Sequence, residues 1–123
     1  MPIWPFTLLR REIGARVRRI GPQRAICNQI RPEEVEAIAA LGFRTILCVR
    51  PDGESGNQPA FAEIAREARR HGIKAVHVPL SGFGVGRAQA AQAKKALSKC
   101  RGPVLGYCRS GGRVAALFAA LDR

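Results

Sequence analysis

The stretch Val104-Leu105-Gly106-Tyr107-Cys108-Arg109-Ser110-Gly111-Gly112-Arg113-Val114 decides the fold. Residues 104–107 form a short, nearly continuous apolar run, the pattern of a strand buried on both faces. A thiol follows, then two glycines that permit unusual backbone angles, then a helical pattern that starts near Gly112 and runs to the end of the chain. A helix that begins here directs its unpaired N–H groups and the positive end of its dipole at the loop. Such a joint cradles oxyanions. It also favours the thiolate form of Cys108, a nucleophile suited to group transfer. Arg113 is placed to fold back over the loop and hold a bound oxyanion with its planar fork. Arg109, Ser110, Gly111 and Gly112 complete the anion-binding loop. The bland alternative is a strand-to-helix turn around a buried cysteine.

Upstream, short β-branched runs alternate with longer helical patterns. Strands are expected at residues 25–27, 45–49, 75–78 and 104–107, and helices at 32–41, 59–71, 87–100 and from 112 onward. Gly42, Gly72 and the Gly102-Pro103 pair close the first three helices, and Pro32 and Pro59 open two of them. The order βαβαβαβα calls for right-handed crossovers and an α/β fold of three layers, a mostly parallel four- to five-stranded sheet with helices on both faces. In such a sheet the loops after the strands gather at one edge, where ligands bind. Besides the cysteine loop, that edge receives Arg50-Pro51-Asp52-Gly53-Glu54 and Leu80-Ser81-Gly82-Phe83-Gly84. Arg50, Glu54, Ser81 and Phe83 are therefore expected to line the site, and Asp52 is a candidate general acid. Pro-Asp-Gly is equally a turn signal that needs no catalytic role.

Residues 1–24 differ from the rest, with six arginines, one acid and no lysine. Phe6, Leu9, Ile13, Val17 and Ile20 are spaced to line one side of a helix. This basic amphipathic arm is expected to pack on its own domain, to lie on an anionic membrane, or to join a partner protein, while residues 25–123 form the α/β domain. The start of the chain also has the Arg-rich, acid-poor character of an organelle transit peptide, which Pro2 and Pro5 fit poorly.

The 123 residues, 46% of them hydrophobic, suffice for one core and not two. Twenty-one Lys and Arg against nine acids give a formal charge of +12, which favours a small anionic substrate, a phosphoester or a sulfane-sulfur donor. Nucleic acid is disfavoured as a partner, since the seven aromatics are scattered and no recognition motif accompanies the charge. Cys27, Cys48, Cys100 and Cys108 form no C-x-x-C pair, and with only His71 and His77 no metal site is expected, nor any cofactor. No secretory signal is read, so free thiols in a reducing cytoplasm are expected, with the arm offering a membrane-peripheral option. Cys48 is read as a core thiol or as a regulatory disulfide partner of Cys108, and His77 as an ordinary packed residue. Arg66, Arg69 and Arg70 cluster near a helix end, where they complement its dipole.

From about Cys27 to Leu121 the chain resembles the phosphatase-like domain of bacterial beta-lactamase-hydrolase-like proteins, itself related in fold to protein tyrosine and dual-specificity phosphatases. The resemblance rests on Asn28-Gln29 before a Pro-Glu-Glu helix start, Leu41-Gly42-Phe43, Val49-Arg50-Pro51-Asp52-Gly53-Glu54, His77-Val78-Pro79, and Gly102-Pro103-Val104-Leu105 ahead of Cys108. It implies phosphoester hydrolysis through a phosphocysteine on Cys108, with Arg113 as phosphate clamp. Three features depart from the tyrosine phosphatases. Four residues, not five, separate Cys108 from Arg113, as in rhodanese-type sulfurtransferases. Ser81-Gly82 stands where dual-specificity phosphatases carry an aspartate, and Tyr107 replaces their histidine before the cysteine. A sulfurtransferase carrying a persulfide on Cys108, and a non-catalytic anion or nucleic-acid binding module, are the alternatives.

Overall fold

The computed structural model describes residues 4–82 and 84–122, with side chains from Leu8 onward. Five strands form one sheet in the order β1-β2-β5-β3-β4, with β1 at Arg18–Gly21, β2 at Arg24–Cys27, β3 at Thr45–Cys48, β4 at Lys74–His77 and β5 at Val104–Tyr107. The last four are parallel, and β1 pairs antiparallel with β2 at the edge. Helices α1 (Trp4–Arg16), α2 (Val35–Ala40), α3 (Phe61–Arg70), α4 (Arg87–Leu97) and α5 (Gly112–Leu121) complete the fold, and Pro32–Glu34 forms a 3-10 turn ahead of α2.

The side-chain alternation of each parallel strand splits the core into two layers. On one face Ala25, Cys27, Ile46, Cys48, Leu105 and Tyr107 pack with Ile13, Ile38 and Ile64 from α1, α2 and α3. On the other, Ile26, Leu47, Val49 and Cys108 pack with Ala93 of α4 and Val114, Leu117 and Phe118 of α5. Gly106 lies under α5, where an added Cβ would stand 2.4 Å from Val114 Cγ2 and 2.9 Å from Phe118 Cε2. The missing side chain lets α5 settle onto β5, and this contact fixes the direction in which α5 leaves the cysteine loop.

The expected three-layer α/β sheet is observed, and each of the four strands and four helices from residue 24 onward is present, most of them with shifted ends and β5 with the ends expected. The amphipathic arm is corrected. Its helix stops at Arg16, and residues 18–21 leave it as the antiparallel edge strand. All four residues of β1 are exposed, Ile20 among them at 44%, so Ile20 does not continue the helical stripe. Ile13 is fully buried and Leu9 and Val17 pack beside it, which places this part of the arm on its own domain. A division at residue 24 would cut the β1–β2 pair.

Candidate active site

The parallel strands bring the loops after β2, β3, β4 and β5 to one edge of the sheet, and the contacts among them define the site. In the loop that closes β5, Gly111 adopts φ +99°, a left-handed conformation that a side chain disfavours, and Gly112 opens α5. The turn aims the Gly111 N–H at Cys108, with N to Sγ at 3.1 Å. The amide N–H thus donates to the sulfur. Ser110 Oγ accepts from the Gly112 N–H at 3.4 Å. Cys108 was expected at the mouth of the loop, yet its exposure is 0%, because its side chain joins the α4 and α5 core layer.

Arg113 does turn back over the edge, and it meets a carboxylate. Its Nη1 and Nη2 donate to Glu54 Oε2 and Oε1 at 2.5 and 2.8 Å, and Nη1 donates also to the Leu80 carbonyl at 2.8 Å. These bonds engage both N–H groups of Nη1 and one of Nη2. Among the described residues, the fork formed by Nε–H and the second Nη2–H meets no oxygen acceptor. Glu54 is itself held by Arg50, whose Nε lies 3.0 Å from Oε1 and whose Nη1 donates to Gln29 Oε1 at 2.9 Å. Arg50 is buried at 4% exposure. Bonding to Arg113, and then to Arg50, holds the Glu54 carboxyl down at about 2 against an ordinary 4.5. Its carboxylate in turn raises the Arg113 guanidinium, with a smaller contribution from the nearby Cys108 sulfur. The carboxylate and guanidinium are therefore both charged across the ordinary pH range.

The other expected site residues fall into place unevenly. Asp52 Oδ1 accepts from the Phe61 N–H at 2.8 Å, so its carboxylate satisfies an amide at the start of α3. That contact matches the turn-and-cap role better than a proton donor facing Cys108. Arg50 is a buried link and not a lining residue. Ser81 and Arg109 are exposed, and the Arg109 carbonyl accepts from the Gln29 N–H at 3.3 Å. Phe83 lies outside the described residues. His77 Nε2 bonds the Arg50 carbonyl at 2.9 Å, and its ring stacks on Phe61 at 4.5 Å, which makes it a packed support for the Arg50 loop. Tyr107 is buried on the face away from Cys108, and burial keeps its phenol protonated. Cys27, Cys48, Cys100 and Cys108 are free thiols. Burial pushes Cys27 and Cys48 upward. Cys48 packs in the core layer opposite to that of Cys108, an arrangement against the disulfide considered from sequence.

Gln29 escaped the sequence reading. It joins the cysteine loop through its N–H and Arg50 through its side chain, and its presence in the Asn28-Gln29 pair is the only signal that marked it. Among the described residues, no helix is long and apolar enough to cross a membrane.

A four-stranded parallel sheet that delivers a cysteine into a glycine-turned loop, closed by an arginine on the following helix, defines a domain of the cysteine-phosphatase fold. The match to solved structures agrees. The chain resembles a candidate phosphatase of Neisseria meningitidis, with 31% identity and a TM-score of 0.73 over 81% of this chain and 71% of that one. The core catalytic domain of the Saccharomyces cerevisiae PP-IP phosphatase SIW14 shares the fold alone, at 19% identity and a TM-score of 0.66 over 87% of this chain and 64% of that one. Residues 16–122 match the family model of the beta-lactamase hydrolase-like protein, phosphatase-like domain, and the chain belongs to that family. A Beta-lactamase hydrolase-like protein of Xylella fastidiosa strain 9a5c is 35% identical over 104 residues, which are 85% of this chain and 24% of that protein. The chain thus spans about a quarter of the length of that curated relative.

Proposed function

We propose that the domain is a cysteine-dependent phosphoester hydrolase, with Cys108 as nucleophile and Arg113 as oxyanion clamp. The observation that carries the reading is the Arg113 fork, which meets no oxygen acceptor among the described residues. Glu54 and Leu80 engage the other N–H groups of this guanidinium, and so hold it in one orientation beside a sulfur that already receives the Gly111 N–H. In the reaction the Cys108 thiolate attacks phosphorus, the P–O bond to the leaving group breaks, and its electron pair departs on that oxygen. Water then attacks the phosphocysteine, breaks the S–P bond and releases phosphate and the thiol. The loop amides and the Arg113 fork stabilise the charge on the equatorial oxygens in both steps. Glu54 is a positioning residue: it touches Arg113 and not the reacting atoms.

A second reading is favoured by the state of the carboxylates. Glu54 is ionised and paired, and Asp52 is bonded to the Phe61 amide, so neither is in place to protonate a poor leaving group. Sulfite needs little protonation. In a sulfurtransferase the Cys108 thiolate would attack the outer sulfur of thiosulfate, the S–S bond would break, and sulfite would leave with the electron pair. Cyanide would then take that sulfur from the persulfide as thiocyanate.

One paired assay separates the readings. An aryl phosphate with a good leaving group is expected to release phosphate with the wild type and to be inert with Cys108→Ser. Thiocyanate formation from thiosulfate and cyanide, without phosphate release, would replace the first reading by the second. Activity retained in Cys108→Ser would overturn both.

A further inference from the structure

A hollow of about 340 Å³ opens beside the cysteine loop, between the end of β2 and the junction of α1 with β1. Arg16, Arg18, Cys27 and Asn28 line it together with Ser110 and Gly111 of the cysteine loop. Among the described residues, no acidic side chain contributes to its wall. The two arginines differ in what they have left to offer. Arg16 is engaged by Glu34, by Asn28 Oδ1 at 3.0 Å and by the Gln29 carbonyl at 2.8 Å. Arg18 is exposed, and among the described residues its side chain enters no hydrogen bond or ion pair.

The β1–β2 register explains why Arg18 faces this hollow. Arg18 stands directly opposite Ile26, so both side chains emerge on the same face of the sheet. Ile26 packs in the layer that holds Cys108 and α5. The next residue, Arg19, points to the other face, with its guanidinium 5.1 Å from the centre of the Phe43 ring. Arg18 is therefore an uncompensated guanidinium at the sheet edge, on the side from which the loop enters α5. Ser110 and Gly111 form a wall common to the loop and the hollow. A ligand whose one anionic group lies in the loop has the next basic recess immediately alongside.

We infer that this hollow is a second anion subsite and that the domain's substrates carry two oxyanionic groups, phosphate or carboxylate, one in the cysteine loop and the other held by Arg18. The inference rests on the proposed hydrolase only for what happens to the first group. Linking two weakly held anions makes the second contact intramolecular, with an effective concentration on the order of millimolar for short flexible linkers, so a matched spacing raises affinity steeply.

The test is calorimetric titration of the full chain carrying Cys108→Ser with inorganic phosphate and with α,ω-bisphosphonates from methylene to hexamethylene. At least one chain length is expected to bind tenfold or more tighter than phosphate, with weaker binding on either side of the best length. Adding Arg18→Glu is expected to remove that advantage and to leave phosphate affinity within twofold. Arg18→Ala, which introduces no repelling charge, is expected to show the same loss in smaller measure. Affinity independent of chain length overturns the subsite, as does an equal weakening of phosphate and bisphosphonate by Arg18→Glu, which would mark Arg18 as a general source of field. Wild-type aryl phosphate turnover separates this result from the parent reading. Hydrolysis without a length preference removes the subsite alone, whereas an Arg18-dependent length preference in a protein that hydrolyses no phosphoester removes the hydrolase and keeps the subsite.

Discussion

Both Nη nitrogens of Arg113 face the Glu54 carboxylate, and this contact sets how the guanidinium can meet an anion. Without it, the long side chain would sample rotamers in which its fork turns away from Cys108. Glu54→Gln keeps the shape and weakens the charged pair to neutral–charged hydrogen bonds. It is expected to lower kcat/KM for an aryl phosphate by about tenfold to a hundredfold, the scale that misplacement of a positioning contact carries. Steady-state kinetics check this, and a variant as active as wild type would deny Glu54 its role. The pH dependence follows from the carboxyl held at about 2 in the folded chain. The folded value is depressed, so the stabilisation that Glu54 gives is fully present above the unfolded value of about 4.3 and is lost as pH falls through 2. The difference in urea midpoint between wild type and Glu54→Gln is therefore expected to be constant above about pH 5 and to shrink progressively below about pH 4.3. A difference that changed between pH 6 and 8 would point to another group.

Two elements meet at Gly106 and two at Asp52, and each contact yields an expectation about α-helix placement. Gly106→Ala puts a methyl group against Val114 and Phe118 and is expected to cost about 1–3 kcal/mol as overpacking, read by urea denaturation. Asp52→Ala removes the acceptor for the Phe61 amide and is expected to cost about 0.5–2 kcal/mol while leaving kcat unchanged. A large loss of kcat with unaltered stability would restore Asp52 as a general acid. The strand–loop–helix unit around Cys108 was legible in the sequence because its signals are local. An apolar run, a glycine pair and a helical pattern follow one another within the same few residues, and β5 begins and ends where that run does. β1 was not legible, since its four residues are all exposed and carry no burial alternation. They form a strand because β2 offers them an unpaired edge. The helical stripe through Val17 and Ile20 continued past the real end of α1 for the same reason: backbone pairing with the strand that follows, β2, overrode the helical period. Glu54 was read as site-lining but not as a brace, since its partner Arg113 lies 59 positions later. Asp52 was similarly ambiguous, because turn chemistry at Pro-Asp-Gly looks the same whether or not the carboxylate also caps a helix nine residues on.

Over the whole molecule, the first helix and the cysteine loop are joined by a chain of contacts that crosses the sheet edge. Arg16, the last residue of α1, bonds Asn28, Glu34 and the Gln29 carbonyl. Gln29 bonds both the Arg109 carbonyl of the cysteine loop and the Arg50 guanidinium, and Arg50 holds the carboxylate that orients Arg113. α1 is thus a structural part of the edge that carries the cysteine loop, and Ile13, at 0% exposure, anchors it in the core. Ile13→Ala leaves a cavity under the helix and is expected to cost about 2–5 kcal/mol. Loosening α1 also frees Arg16, so kcat/KM for an aryl phosphate is expected to fall at temperatures where the variant is still folded by circular dichroism. If α1 were an appendage the domain does not need, the urea midpoint and the kinetics of Ile13→Ala would both match wild type, and the contact chain through Gln29 would carry no coupling.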